Sequence, residues 1–394
     1  MGIINSIFGA ILNVIFEGVT LITPVAALAM SIIIFTLVAR VLLTPLQLSS
    51  QRTSRGMSKI QPELTKIQNK YKGRTDQESQ LKQSQEMQAL YKKYKINPFA
   101  GCLPLLIQFP LIMGLFNVLR TPATYIKQLS LVYTDIATKI MEHVTNYQDL
   151  LQPYQANIEA MTRTTYDFAN STSLGQFLSH LTTGQWHDVM AQVQAQVTNP
   201  TVLNGIESAF EIKNKFETFF GFSVVDAPSG LMGTQPWAII IPIIAGASTY
   251  IFTKLTMAQN AQPQSSGQAN PADSMMKTMN IVMPIMTGAF AYTMPIGLAL
   301  YWIAGNVIML VQQKIVNKML EKQDAKLEAM LEKEREEARK NNKIQTKKVM
   351  KKVPVEKKPV TKVEAPVESD NKPKTYTKKV MKKVPVQKKT DSQE

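Results

Sequence analysis

The sequence predicts an all-α polytopic membrane protein whose chain crosses the bilayer five times, and three observations carry that expectation. Five apolar segments, near residues 25–48, 99–119, 236–257, 276–294 and 295–313, stand apart from polar sequence, and a helix needs about 20 mainly apolar residues to cross the hydrocarbon core. The segments between them alternate in charge. Residues 49–98 hold 11 Lys and Arg against 4 Asp and Glu, residues 121–235 hold 5 against 10, and the chain from 312 holds 24 against 13. Where the connectors show apolar periodicity, it recurs every three or four residues, as on a helix. The mean hydropathy of −0.08 resembles that of a water-soluble protein only because two populations cancel in it, and the net charge of +15 over 394 residues hides the same unevenness.

Residues 1–23 are apolar and contain no Lys or Arg, so neither a secretory signal nor a transit peptide fits them. Ile4, Ile7, Phe8, Ile11, Val14, Ile15 and Val19 fall at helical spacing, with Asn5 and Glu17 off that stripe. This predicts an amphipathic helix on the outer membrane surface; the alternative is an extension of the first span.

The first span, 24–48, carries one charge, Arg40. A cation within a span costs at least ~2.5 kcal/mol and usually faces a protein interior or a wet cavity. A second reading is that Arg40 snorkels. It lies five residues before Pro45, roughly 8 Å from the cytoplasmic end at about 1.5 Å per residue. No Asp or Glu occurs in the five segments, which leaves the charge available to water or an arriving anion. Thr36 sits one turn before Arg40. Gln108 in the second span and Asn306 in the fifth, after Tyr301 and Trp302, are further polar groups for such a cavity; singly, each also fits helix packing.

Residues 49–98 form a cytoplasmic helical hairpin. Met57, Ile60, Leu64, Ile67 and Tyr71 make one seam, Lys72, Gly73 and Arg74 interrupt it, and Leu81, Met87, Leu90, Tyr91 and Tyr94 make a second that Asn97 and Pro98 end. Each arm is too short for a self-sufficient coiled coil, so the hairpin is expected to be mobile and able to catch a partner. A solvated basic connector is the plainer alternative.

The second span, 99–120, contains Pro104 and Pro110; Pro242 and Pro284 interrupt the third and fourth, loosening those helices. Residues 121–235 are read as an extracytoplasmic helical segment. The third span (236–257), a cytoplasmic loop (258–275), the fourth span (276–294) and the fifth (295–313) follow. Lys254 and Lys277 can snorkel, and spans this short thin the bilayer around them, which eases passage of polar chain. Placing the basic segments inside puts the N-terminus outside and the C-terminus in the cytoplasm.

The tail, 314–394, begins as a helix rich in Glu, Lys and Ala and is expected to be disordered beyond about 340. Within it TKKVMKKVPVEKK (346–358) recurs as TKKVMKKVPVQKK (377–389). Its lysine clusters suit ribosomal RNA or anionic lipid.

The single cysteine, Cys102, excludes an internal disulfide and a Cys-based zinc site, and the three histidines (His143, His180, His187) lie in one segment. No phosphate-binding loop, zinc-protease or nucleophile-elbow motif occurs, so neither cofactor, metal nor enzyme activity is expected. His187-Asp188 lacks a nucleophile or metal partner and reads as structural.

Several separated motifs resemble the YidC/Oxa/Alb membrane protein insertases. These are Thr36–Leu46 (TLVARVLLTPL), Gln61-Pro62-Glu63-Leu64 with Ile67-Gln68 and Lys70-Tyr71-Lys72, Asn97-Pro98, and Gly101–Pro110 (GCLPLLIQFP). Met283-Pro284, Pro295–Trp302 (PIGLALYW), Asn306 and Gln312-Gln313 continue the match. The resemblance covers roughly 25–120 and 236–318. It implies five helices around a hydrophilic groove open to cytoplasm and lipid and closed outside, in which Arg40 is the positive charge. Gln108 and Trp302 match groove positions, and Thr36, Phe290 and Trp302 match positions along which a client helix slides, past the first, third and fifth spans. The hairpin Arg55–Tyr94 resembles the family's functionally needed hairpin, and the tail resembles those that bind ribosomes. The implied localisation is the bacterial plasma membrane, in a member without the large outer domain. Nascent membrane proteins, lipid and the ribosome are the implied partners; whether the protein works alone or beside the Sec translocon stays open. Two other classes compete: a small-anion transporter or channel with Arg40 as its binding site, against which no inverted repeat is visible, and a scaffold that holds a channel or ribosome at the membrane.

Overall fold

The computed structural model describes residues 2–97, 103–260 and 271–352. Pro98, Gly101 and Cys102 of the motifs quoted above, the centre of the 258–275 loop and most of the tail repeats lie outside them. The chain divides into two compact units, residues 1–334 and 335–394. In the second, the described residues, 335–352, are helical, so helix continues past the point near 340 at which the sequence suggests disorder.

The order of elements is α1 (Gly2–Ile22), α2 (Ala27–Leu42), α3 (Thr44–Lys70), α4 (Gln77–Lys93), α5 (Leu103–Arg120), α6 (Pro122–Tyr125), α7 (Lys127–His143), α8 (Tyr147–Thr162), α9 (Ser171–Leu178), α10 (Thr183–Gln196) and α11 (Pro200–Glu217). A short antiparallel hairpin follows, β1 (Thr218–Phe219) and β2 (Phe222–Ser223), paired Thr218 with Ser223 and Phe219 with Phe222. Then come α12 (Pro228–Leu231), a 3-10 turn (Pro236–Ile239), α13 (Ile240–Asn260), α14 (Pro271–Thr293) and α15 (Ile296–Lys352).

By length and composition three helical stretches among the described residues can cross a membrane: Gly2–Ile22, Pro236–Thr256 and Ile296–Lys322. A fourth forms if α2 and α3, bent by 59°, count as one broken span, and α5 contributes a shorter apolar helix, Leu106–Arg120. The bend has a local cause. Pro45 follows Thr44 in the first turn of α3 and has no N–H to continue the hydrogen-bond ladder of α2, so the helix stops at Leu42 and restarts.

The face of α1 that meets protein is Gly9, Leu12, Phe16 and Val19, all buried, whereas Ile7, Ile11 and Val14 are exposed. The apolar stripe read from the sequence is therefore divided, because a helix apolar around most of its circumference does not reveal which side a neighbour takes. Phe16 meets Phe216 edge to face, the Asn13 side-chain Oδ1 accepts the Lys127 N–H at 2.8 Å, and Phe8 meets Phe35 at 5.6 Å. Phe35 lies about 12 Å into α2 at 1.5 Å per residue, so α1 runs along its neighbours rather than across their ends.

Residues 121–235 are mostly helical, with the β1–β2 hairpin after α11. Leu129, Tyr133, Ile136, Ala137 and Ile140 put one face of α7 into the core, against Leu174, Phe177 and Leu178 of α9 and Ile206 and Ala209 of α11. Side-chain caps start three helices: Asn170 for α9, a Thr182–Gln185 capping box for α10, and Asn199 before Pro200 for α11. His180 hydrogen-bonds Tyr166, and its imidazole is lowered to about 4, chiefly by burial and then by Arg120, which makes it a neutral core residue.

This segment sits on the N-terminal ends of α2 and α15. The Ala26 N–H donates to the Lys215 carbonyl, the Ile296 N–H to Asp226 and the Gly297 N–H to Val224, at 2.7–2.8 Å. At Gly297 a methyl group would stand 2.9 Å from both Ile32 and Leu119 and 3.2 Å from the Val224 carbonyl. Helices α2, α5 and α15 thus converge there beneath the turn that follows β2.

Candidate functional site

Arg40 lies in the last turn of α2, where unpaired carbonyls leave a partial negative charge that favours a cation. Its own carbonyl accepts from Thr44 Oγ1 at 3.0 Å and from Gln312 Nε2 at 3.1 Å, and Gln312 also donates to Thr44 Oγ1 at 2.6 Å. A glutamine of α15 therefore pins the bend between α2 and α3 at the residue that carries the charge.

The Arg40 side chain is half-buried, with its Cζ 6.0 Å from the centre of the Tyr301 ring. It also lies against α15, because residue 305 is glycine: a Cβ there would stand 2.9 Å from one terminal nitrogen and 3.4 Å from Nε. Among the described residues Arg40 has no carboxylate partner, and its Nε is buried without a hydrogen bond. A buried donor left unmade is costly, more so on a cation, so the site favours anything that brings an acceptor. Tyr301 extends the cluster, since its hydroxyl accepts from Gln108 Nε2 at 2.8 Å. Helices α2, α5 and α15 thus meet through one cation, one phenol and one amide.

The other candidates behave differently. Thr36 is fully buried and donates to the Ile32 carbonyl of its own helix at 2.6 Å. Asn306 donates to Ser248 and Thr249 at 3.0 Å each, tying α15 to α13. Trp302 packs on Ala245, Ala291 and Ala299, and Phe290 is 46% exposed on α14. None of the four has a hydrogen bond or ring contact with Arg40 among the described residues. In the sequence Tyr301 and Gln312 stand out only as motif members, and Gly305 does not stand out. The signal was available, because 301, 305 and 312 are four and seven apart and share one helical face.

The hairpin is joined by a third helix. Ile60 and Leu64 of α3 and Tyr94 are buried with Leu331 of α15, and Met57, Met87, Leu90, Tyr91, Ile96 and Leu327 pack around them. Charges surround this seam. Arg55 pairs with Asp324 at 2.7 Å and also hydrogen-bonds Asn317, Lys59 lies 3.6 Å from Asp324 and 3.4 Å from Glu328, and Lys93 lies 2.6 Å from Glu334. Lys93 first, then the Tyr94 hydroxyl, hold the Glu334 carboxyl below the usual range. With its pKa lowered on docking, Glu334 supports the contact above the ordinary glutamate range and ceases to as pH falls through the lowered value. Reversing Asp324 and Glu328 to lysine should speed amide exchange in α3 and α4 by about tenfold, equivalent to ~1.4 kcal/mol. Unchanged exchange would show that the charges do not hold the hairpin.

His187 and Asp188 are both exposed on α10, and among the described residues no group of His, Cys, Asp or Glu is placed to hold a metal.

Comparison with known proteins gives a consistent result. The profile of the 60Kd inner membrane protein family matches residues 21–323. The chain is 28% identical over 309 residues to the membrane protein insertase MisCA of Bacillus subtilis, covering 77% of each chain. It is 27% identical over 323 residues to a membrane protein insertase YidC of Oceanobacillus iheyensis, covering 80% of this chain and 84% of that one. A YidC 1 insertase of Streptococcus pyogenes is 41% identical over 111 residues, 28% of this chain.

Proposed function

The chain belongs to the 60Kd inner membrane protein family, that of the YidC-type insertases, and we propose that it inserts membrane proteins through a cationic groove lined by α2, α5 and α15. It is a multi-pass membrane protein. In this reading a client's polar, often acidic, tail is drawn toward Arg40, and its apolar segment then passes into lipid without nucleotide hydrolysis. The observation that carries the reading is the Arg40 guanidinium, half-buried, unpaired among the described residues and laid against Gly305. An unpaired cation beside low-dielectric walls attracts anions over a longer range than one in bulk water. Convergence of α2, α5 and α15 under the Val224–Asp226 turn supports a groove closed on the outside. Burial of α1 against α2 and α5 supports its lying within the bilayer's outer half. The basic hairpin and tail support an inward orientation for those segments and a ribosome contact, whose readout is salt-sensitive co-sedimentation.

Photo-crosslinking tests the groove. Probes at Thr36, Gln108 and Trp302 should form adducts with a stalled nascent membrane protein, strongest at Gln108 beside Tyr301, while a probe at exposed Leu131 on the outer domain should not. Adducts confined to Leu131, or none, would remove the groove. The same free cation suits a small-anion pathway; purified protein that carries anions across vesicles but inserts no client would establish that class instead.

A further inference from the structure

The turn between β1 and β2 is built around two residues with positive φ, Phe220 (50°) and Gly221 (83°). A two-residue hairpin turn of this kind favours Asn or Asp followed by Gly, because other side chains resist the left-handed region. Phenylalanine occupies the strained position here and is 83% exposed. Its ring meets only that of Phe219, edge to face at 4.5 Å, among the described aromatic contacts. A large apolar side chain held in strain and in the open needs something outside the chain to cover it.

The neighbours say what covers it. Phe222, at the base of the turn, contacts the Trp237 ring at 3.8 Å between centroids, and Gly221 also abuts that ring. Trp237 is in the first turn of the Pro236–Thr256 stretch, which is long and apolar enough to cross a membrane. Trp237 is 52% exposed, and the exposed side chains Ile239, Ile240, Ile243 and Ile244 continue the same surface along that stretch. Tryptophan at the end of a span marks the headgroup level. The turn therefore stands beside the point at which the chain enters lipid. Charge agrees. Between Thr218 and Gln235 the one charged residue is Asp226, which is buried and takes the Thr183 N–H and hydroxyl. The acidic outer domain exposes no ion along this edge.

We propose that the β1–β2 turn is a membrane anchor: Phe219 and Phe220 enter the headgroup–acyl boundary of the outer leaflet beside Trp237 and hold the outer domain down on the bilayer. The partner is phospholipid, not a protein. This rests on the Pro236–Thr256 stretch crossing the membrane and is independent of the insertase reading.

The chain's single cysteine makes the test direct. In a Cys102→Ser background, a polarity-sensitive fluorophore is attached after Phe220→Cys, with Ile240→Cys as the lipid reference and Leu131→Cys as the aqueous one, in phosphatidylcholine–phosphatidylglycerol vesicles. The label at 220 should be blue-shifted and quenched by lipids brominated high on the acyl chain at least half as strongly as the label at 240, and shielded from aqueous iodide. A label at 220 that behaves like the one at 131 overturns the anchor. Shielding from iodide without lipid quenching also overturns it, in favour of a protein contact. If the label at 240 escapes lipid quenching as well, the span itself fails and the anchor fails with it.

Discussion

Arg40→Glu should reduce insertion of a client with an acidic tail by two orders of magnitude or more, whereas Arg40→Lys should keep much of it. The argument is electrostatic and local. At about 4 Å and an effective dielectric constant near 20, two unit charges interact by ~4 kcal/mol, so replacing the cation by an anion turns attraction of that order into repulsion. The Glu variant would also place a carboxylate at the C-terminal end of α2, where the carbonyl dipoles oppose it. Lysine keeps the charge but gives up the flat guanidinium that lies along Gly305 and over Tyr301, so it should fall short of the parent. The measurement is reconstituted insertion of paired clients, one with an acidic and one with a neutral tail. The loss should fall mainly on the acidic one. Parental rates for both clients in the Glu variant would end the charge mechanism.

Hydropathy marked the apolar helices, because apolar length is a property of a segment and survives without tertiary knowledge. Arg40 was legible for the same reason, being an ion where ions are costly. What surrounds it was less so. Gly305 matters through the absence of a side chain, and Tyr301 and Gln312 matter through a shared face of α15 that points at another helix; neither fact is written in a one-dimensional hydropathy trace. Thr36 and Asn306 stand out as polar groups in apolar sequence, and both are bonded to helices, Thr36 within its own and Asn306 across to α13. The hairpin shows the complementary failure. Its two arms are short by themselves, while Val316, Leu320, Leu327 and Leu331 repeat at four and seven on a helix that composition marks as the start of a basic tail. The acids among them, Asp324, Glu328 and Glu334, vanish in a net charge of +11.

The largest expected loss of stability lies in the helical segment 121–235, at Lys213→Met. Lys213 and Glu217 are one turn apart on α11 and pair at 3.2 Å with side chains only 5% and 0% exposed. Glu217 also accepts from the Tyr133 hydroxyl at 2.7 Å, and burial first, then the Glu217 charge, pushes the Tyr133 hydroxyl well above its ordinary range. Lys213 Nζ stands 5.4 Å from the centre of the Trp186 ring and 5.3 Å from that of Phe210. Removing the lysine leaves a carboxylate in the core with one donor, and breaking a buried pair in this way costs about 3–5 kcal/mol. Desolvation consumed much of the pair's attraction when the domain folded, so removing both charges should cost far less: Lys213→Met with Glu217→Leu should recover most of the loss. Unfolding in detergent, followed by Trp186 fluorescence in a chain lacking the other two tryptophans, measures both. A Lys213→Met variant within about 0.5 kcal/mol of the parent would class the pair with surface ions and remove the argument. The consequence reaches beyond the domain, because the Lys215 carbonyl in the same turn holds the N–H of Ala26 at the start of α2. Loosening α11 should therefore free the N-terminal end of the helix that carries Arg40, and a variant that unfolds here should lose insertion activity with the groove residues untouched.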